Sequence, residues 1–590
     1  MKNHRIEFGI AFLAILFFNG CNDDFLTRTP LDEISNESFW KTENDLRTYN
    51  NELYDMTLDE LDIPILMGHP EGAGGSLWRG SVWWQDGFTD NLAPRHARHN
   101  RFQQVRAGRH SIPSGTEEFG YRGWDFVRAI NVGLQNYNKS NLPEAVANRY
   151  AGEARLFRGL FYAEKVTKFG DVPWVDRELN IDSEELYAGR TPREEAMDNV
   201  LADLDFATDN LPADWGDGNE PGRLNRWDAL LIKSRVALFE GTWRKYHGGS
   251  NAEMWLQVAA DAAKEVMDDG PHSIYNTGDP ENDYNAIHRM ADLSGNPEVM
   301  YWRKYELGVV TNTALTDYFH YTGGATKSFV EDYLDINGLP ITDPGSVYQG
   351  DDTIEDVFEN RDPRLRQTIL HPGDTDKYSY HNNDGRDYPR ITGMSGGFIT
   401  TTGYHIIKVY GEEALKEKYT AVNPAIILRY AEVLLNYAEA RAELDELTQD
   451  DLDISINLLR DRAGMPPMQM NPPMDSRYAN DGVSSEIVEI RRERRVELFM
   501  EGHRYNDLRR WKQGKKLEIP DLGIHFDAAA EARYDGHEIQ TTEVEGRPYI
   551  DVYAGSDWHN PVFDESKHYL WPIPISVMSQ NPNIEQNPGW

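Results

Sequence analysis

Three clusters of residues carry side chains suited to ligand chemistry. Trp78, Trp83 and Trp84 lie in the run from Gly68 to Gly87, which has four glycines before Trp78 and no helical period. Tryptophan on such a loop offers an aromatic face on which the apolar face of a sugar ring can stack; its alternative use is core filling, since Trp is buried on average. The stretch from Asn91 to Thr116 then holds Arg95, Arg98, Arg101, Arg106 and Arg109 without one acidic residue. Guanidinium forks pair with carboxylates or sulfates in bidentate geometry, so this stretch fits an anionic ligand, buried carboxylates elsewhere in the fold, or a docking partner. Tyr301, Trp302, Tyr305, Tyr318 and Tyr321 form a third aromatic group. In a strand over Glu298–Tyr305, Tyr301 and Tyr305 would share one face and Trp302 the other.

Catalytic patterns are weaker. Gly393-Met394-Ser395-Gly396-Gly397 has nucleophile-elbow spacing, but a Thr-rich run follows where a helix is required. His537-Glu538 lacks the second histidine of a zinc-protease helix. Tyr321 and Thr326 stand where a phosphate loop before Lys327-Ser328 needs glycine. Paired carboxylates are uninformative among 98 acidic residues. The reading is a binding protein with no catalytic residues, no metal and no cofactor.

The elements that must position these clusters are mostly helical. Helices are expected over Ile34–Leu61, capped by Ser35 or Ser38, then over Tyr121–Lys139 and Glu144–Phe169, to Asn210 from Thr191 as N-cap with Pro192 first in the helix, and over Asn225–Lys245 and Glu253–Asp268. Pro424–Leu444 and Ile454–Ala463 resume the array. Short links and alanine at contact positions imply stacked helix pairs, tetratricopeptide-like but degenerate. Gly270 to Val422 reads as an irregular subdomain with strands at Glu298–Tyr305 and Tyr404–Tyr410. Glu486–Trp511 reads as a helix with Val488, Val496, Phe499 and Met500 on one arc. Glu493, Glu497 and Glu501 form one column and Arg491 and Arg495 another, so it must dock through tertiary ion pairs. The terminal Trp571–Pro574 and Gln586–Trp590 segments read as structural seals.

Composition bounds the setting. The net charge of −38 opposes nucleic acid and anionic lipid. Lys2 and Arg5 precede an apolar run from Phe8 to Phe18, too short to span a bilayer, that fits a secretory signal over residues 1–20. Cys21 is the only cysteine and sits at the cut, which fits a lipidated N-terminus followed by Asn22-Asp23-Asp24.

In order, the chain gives CNDDFL at Cys21, ISNESFWKTENDL at Ile34, FVEDYLDINGLPI at Phe329, RDPRL at Arg361, LRYAEVLLNYAEARAEL at Leu428 and INLLRDRAG at Ile456. ERRVELFMEGHRYNDLRRW and LWPIPISVMSQNPNIEQNPGW complete the series. Each resembles a segment of the SusD/RagB family of Bacteroidota surface lipoproteins, over nearly the whole mature chain. The resemblance implies a mainly α fold: a tetratricopeptide-like solenoid scaffold with an irregular, loop-rich α+β ligand-binding subdomain. The expected organisation is a signal peptide (1–20), a lipid-anchored segment with aromatic and basic loops (21–120), an N-terminal helical-pair region (121–269), an irregular subdomain (270–422) and a C-terminal helical region with its seal (423–590). It also implies an outer-membrane lipoprotein, facing the extracellular side, that captures an oligosaccharide for a SusC-like TonB-dependent transporter. A peptide ligand, as in the RagB branch, and a surface glycoside hydrolase are the alternatives. The candidate ligand residues are Trp78, Trp83, Trp84, Arg95, Arg98, Arg101, Tyr301, Trp302 and Tyr321.

Overall fold

The computed structural model describes residues 39–59, 68–69, 84–94, 100–116, 119–218, 222–314, 323–374, 388–394, 399–409, 420–534 and 536–590. The signal segment, Cys21 and the caps Ser35 and Ser38 lie outside the described residues. Helix α1 (Glu43–Asp59) is preceded by Thr42, whose N–H donates to Asp45 Oδ2 at 2.7 Å while Asp45 N–H donates to Thr42 Oγ1 at 3.3 Å. This reciprocal pair satisfies donors that the first turn leaves bare. Leu46 and Leu53, seven residues apart, are buried.

The scaffold comprises α2 (Trp124–Asn136), α3 (Glu144–Phe169), α4 (Arg193–Asn210), α5 (Arg226–His247), α6 (Ala252–Asp269) and α7 (Tyr430–Glu443). Each helix from α3 to α6 packs on its successor, and α6 then packs on α7. Asn225 caps α5, its Oδ1 accepting from Trp227 N–H at 2.8 Å, and Asp228 Oδ2 returns a bond from Asn225 N–H at 2.9 Å. Gly241 lets α5 approach α6 closely, since a Cβ there would lie 2.9 Å from Leu256. One core cluster runs through this stack, from Trp40 to Ile584. The fold is mainly α, as expected.

Four local expectations are corrected. Pro192 is the N-cap of α4 rather than its first residue, because Thr191 pairs with Val172 in a two-stranded bridge. The first residues of the run Pro424–Leu444 form strand β2 (Ala425–Arg429), not helix; with its β-branched Ile426 and Ile427 it pairs antiparallel with β1 (Val299–Arg303), Ile426 opposite Trp302. Tyr404–Tyr410 makes only one bridge among its described residues, Ile406 to Ile369. Glu486–Trp511 is two helices, α8 (Ser485–Glu497) and α9 (Arg504–Arg510), separated by a corner where Met500 and Gly502 take φ of 62° and 79°.

The irregular part has its own core around Phe329, Tyr333, Ile406 and Phe499. A three-stranded sheet, β3 (Leu522–His525), β4 (Thr541–Val544) and β5 (Arg547–Asp551), flanks it with β5 central.

Helix α8 joins the two parts through buried charge. Glu497 accepts from Arg462 at 2.6 Å, Arg429 at 2.7 Å and Arg364 at 3.1 Å. Glu493 meets Arg364 and Arg460, and Glu501 meets Arg429 at 2.7 Å and Lys408 at 2.6 Å. The arginines of α8 pair outward from the same helix: Arg491 with Glu443 of α7, Arg492 with Asp475, Arg494 with Asp507 of α9, and Arg495 with Asp332. Burial alone would raise the Glu497 carboxyl, but Arg462, Arg429 and Arg364 hold it well below the usual range. The predicted docking through tertiary ion pairs is therefore the observed one, with the helix buried from Ile487 to Glu497.

The C-terminal seal is equally specific. Trp571 N–H donates to Lys168 O at 2.7 Å, and Asn587 Nδ2 ties Phe169 O and Trp571 O together at 2.9 and 2.7 Å.

Candidate ligand-binding face

The base of the predicted ligand segments is built from short extended pieces. Leu92–Ala93 pairs antiparallel with Gly324–Ala325, in the register Leu92 to Ala325 and Ala93 to Gly324. The last described residues before Arg95 and the first after Tyr321 therefore run side by side. Gly323 is required here: its φ is 86°, and a Cβ would lie 1.9 Å from Ala93 O. Thr401 Oγ1 donates to the same carbonyl at 2.6 Å. Pro94 O accepts from Tyr553 OH at 2.6 Å and from Gln103 Nε2 at 2.9 Å, which ties the piece to the following helix, Asn100–Arg106.

Trp84 opens a 3-10 turn, Trp84–Phe88, and Arg101 lies in the helix Asn100–Arg106. These two of the predicted residues are thus placed by backbone on adjacent elements that pack together. Trp78, Trp83, Arg95, Arg98 and Tyr321 lie outside the described residues, as does Tyr318.

The turn is held by Asp86. Its Oδ1 accepts from Asn91 Nδ2 at 3.0 Å and its Oδ2 from Gly502 N–H at 2.8 Å, in the corner between α8 and α9. Asp90, next along, takes both forks of Arg504 at 2.8 and 2.9 Å. Burial would raise its carboxyl, but Arg495 and Arg504 hold it far below the usual range. The helix is held by Arg106, whose Nη2 donates to Asp521 Oδ1 at 2.9 Å and to Ile519 O at 2.8 Å. Of the three readings of the arginine stretch, Arg106 takes that of pairing with a buried carboxylate elsewhere in the fold. His69 marks the entry to the tryptophan-bearing run: its N–H donates to Tyr305 OH at 2.6 Å, and burial lowers its imidazole to about 4.

The third aromatic group divides between cores. A bulge in β1 turns Met300 and Tyr301 together toward the scaffold core and Val299 and Trp302 to the other side. Trp302 is 3% exposed in a small cluster with Ile287, Leu293 and Ile426, so it is corrected to a core residue with no open face for a sugar. Tyr301 is half-buried against the scaffold core, and burial raises its phenol above the ordinary value. Tyr305 is buried.

The anchors Asp86, Asp90 and Asp521 escape sequence reasoning. Apart from Asn91 beside Asp86, their partners lie hundreds of residues away, and nothing in their spacing separates them from the other acidic residues.

The SusD family model matches residues 287–590, more than half of the chain. Over the full length of both proteins the chain is 24% identical to SusD-like protein P2 of Formosa agariphila. Its fold is shared with a SusD-like carbohydrate binding protein of Bacteroides fragilis, at a TM-score of 0.70 and 21% identity over 93% of this chain and 100% of that one. A laminarin binding SusD-like protein superposes at a TM-score of 0.57 and 18% identity, over 93% and 100% of the two chains. With the ion-paired C-terminal helices, the helical-pair scaffold and this match in hand, the chain belongs to the SusD family.

Proposed function

We propose that this protein captures oligosaccharides at the cell surface and passes them to a SusC-like TonB-dependent transporter, with anionic glycans preferred. The observation that carries this reading is the packing of the Trp84 turn against the Arg101 helix, an aromatic and a cationic element fixed to one base. Uronate or sulfated sugars call for an aromatic face to stack on and a guanidinium fork to pair with, the two residue types that these elements carry. The described carbohydrate and laminarin binding of two fold relatives supports a sugar over a peptide. Lipid attachment at Cys21 supplies the tether, each buried CH₂ contributing about 0.8 kcal/mol. The role is retention without cleavage.

Isothermal titration of the lipid-free protein with uronate-containing, sulfated and neutral polysaccharides tests the proposal. Saturable binding that favours the charged glycans supports it. Displacement of bound glycan by a peptide digest would favour the peptide reading, and release of reducing ends would make it a hydrolase.

A further inference from the structure

The helix that carries Arg101 is bracketed by a loop from the far end of the chain. We propose that this loop, residues 554–561, is a second sugar-contacting element of the same face, with Trp558 supplying a ring on which a pyranose stacks and His559 an acceptor for one of its hydroxyls. The inference rests on the glycan-binding reading and extends it to residues at the opposite end of the sequence.

Three contacts fix where the loop lies. Tyr553, at its start, donates its hydroxyl to Pro94 O at 2.6 Å, one residue before Arg95. Val562, at its end, donates its N–H to Ala107 O at 3.1 Å, one residue after the helix Asn100–Arg106. Val552 N–H reaches Asp521 O at 3.3 Å, and the carboxylate of the same aspartate holds Arg106 of that helix. The approach is close at Gly108, where φ is 65° and a Cβ would lie 1.8 Å from Val562 O. The loop is thus tied beside both ends of the Arg101 helix.

Its own conformation is set by hydrogen bonds. Ser556 N–H donates to Tyr553 O at 3.0 Å and His559 N–H to Ser556 O at 3.3 Å, which makes two successive turns, with Gly555 at φ 71° supplying the positive angle in the first. Ser556 Oγ donates to Tyr553 O at 2.6 Å and accepts from Trp558 N–H at 3.2 Å. His559 is oriented by Asp551, whose Oδ1 lies 3.2 Å from its Nδ1. A carboxylate oxygen only accepts, so Nδ1 carries the hydrogen and the neutral ring presents Nε2 as an acceptor.

The loop turns apolar surface outward. Trp558 and His559 are partly exposed, Asp557 and Asn560 flank them as exposed hydroxyl partners, and Val562 is 55% exposed. Trp124, Trp174 and Trp215 are also partly buried, but they pack against the scaffold core, and Trp558 is not among the tryptophans that fill the described cores. An indole kept partly in water on a fixed loop, beside groups that exchange hydrogen bonds with hydroxyls, suits the apolar face and polar rim of a sugar ring.

Titration calorimetry with alginate, dextran sulfate and laminarin, paired with thermal denaturation, tests the assignment. Against the glycan that wild type binds, Trp558→Ala should lower affinity about tenfold and Trp558→Phe, which keeps a ring, about threefold or less. Stacking is indifferent to charge, so the dependence on salt and the melting temperature should stay at wild-type values in both. A second measurement needs no variant: saturating glycan should slow oxidation of Trp558 by N-bromosuccinimide several-fold in the wild-type protein, read by peptide mass spectrometry. If Trp558→Ala fails to fold, that protection decides alone. Wild-type binding with affinity unchanged in Trp558→Ala, or with Trp558 oxidised equally fast under saturating glycan, would overturn the loop assignment and leave the glycan-binding reading standing. No binding of wild type to any of the three polymers would remove that reading and this inference with it.

Discussion

Arg429 Nη1 lies 2.7 Å from Glu497 Oε1, with neither side chain more than 2% exposed. The pair joins β2 to α8, and Arg462 and Arg364 crowd the same carboxylate. Glu497→Ala would leave three buried guanidinium groups short of an acceptor. It should cost about 3–5 kcal/mol or prevent folding, by urea denaturation. Glu178→Ala, which removes the partner of the largely exposed Arg128, should change stability by no more than about 1 kcal/mol. Equal effects would remove the special standing of the α8 network.

Trp302→Ala should destabilise by about 3–5 kcal/mol, because it empties a packed site between β1 and Ile287. Glycan affinity per folded molecule should be unchanged. A loss of affinity without a loss of stability would return Trp302 to the ligand face.

Arg101→Ala and Arg106→Ala separate recognition from support. The first should lower affinity for a charged glycan about tenfold and flatten its dependence on salt, while leaving thermal stability near wild type. The second breaks the buried pair with Asp521 and should lower stability by several kcal/mol. Titration calorimetry paired with thermal denaturation distinguishes them.

His69 is buried and its imidazole is lowered from 6.5 to about 4. Its neutral form is favoured in the folded state, so its contribution is complete above pH 6.5 and is lost as pH falls toward 4. Burial drives the shift, and the span is worth at most about 3 kcal/mol. In urea titrations His69→Gln should lose less stability than wild type over that window. Parallel curves would show that His69 does not titrate there.

How much of this was legible varies by element. Helix α3 was readable to its ends because Tyr150, Ala154, Phe157 and Phe161 keep helical phase and Gly170 stops it. The sorted charges of α8 announced burial, since like charges stacked at that spacing have no reason to form a helix alone. The corner at Met500–Gly502 was missed because the apolar arc continues in phase across it. β2 was missed because Ala425–Arg429 and the helix after it are both apolar, and only the distant β1 settles which part is strand. Trp84 and Trp302 are the same residue type in similarly aromatic stretches. The bulge that buries the second is a property of strand pairing, which local spacing does not encode. The contacts of Asp86 with the Gly502 N–H and of Asp521 with Arg106 join residues that only the fold brings together.

The arginines of α8 face inward, each beside a carboxylate. Neutral pairs in the interior leave the whole net charge of −38 to be displayed outside, with those cations no longer there to dilute it. Neighbouring copies should therefore stay dispersed, and an acidic polymer drifting past should be turned away from most of the molecule. Only where unpaired basic groups break that skin would such a polymer find somewhere to settle.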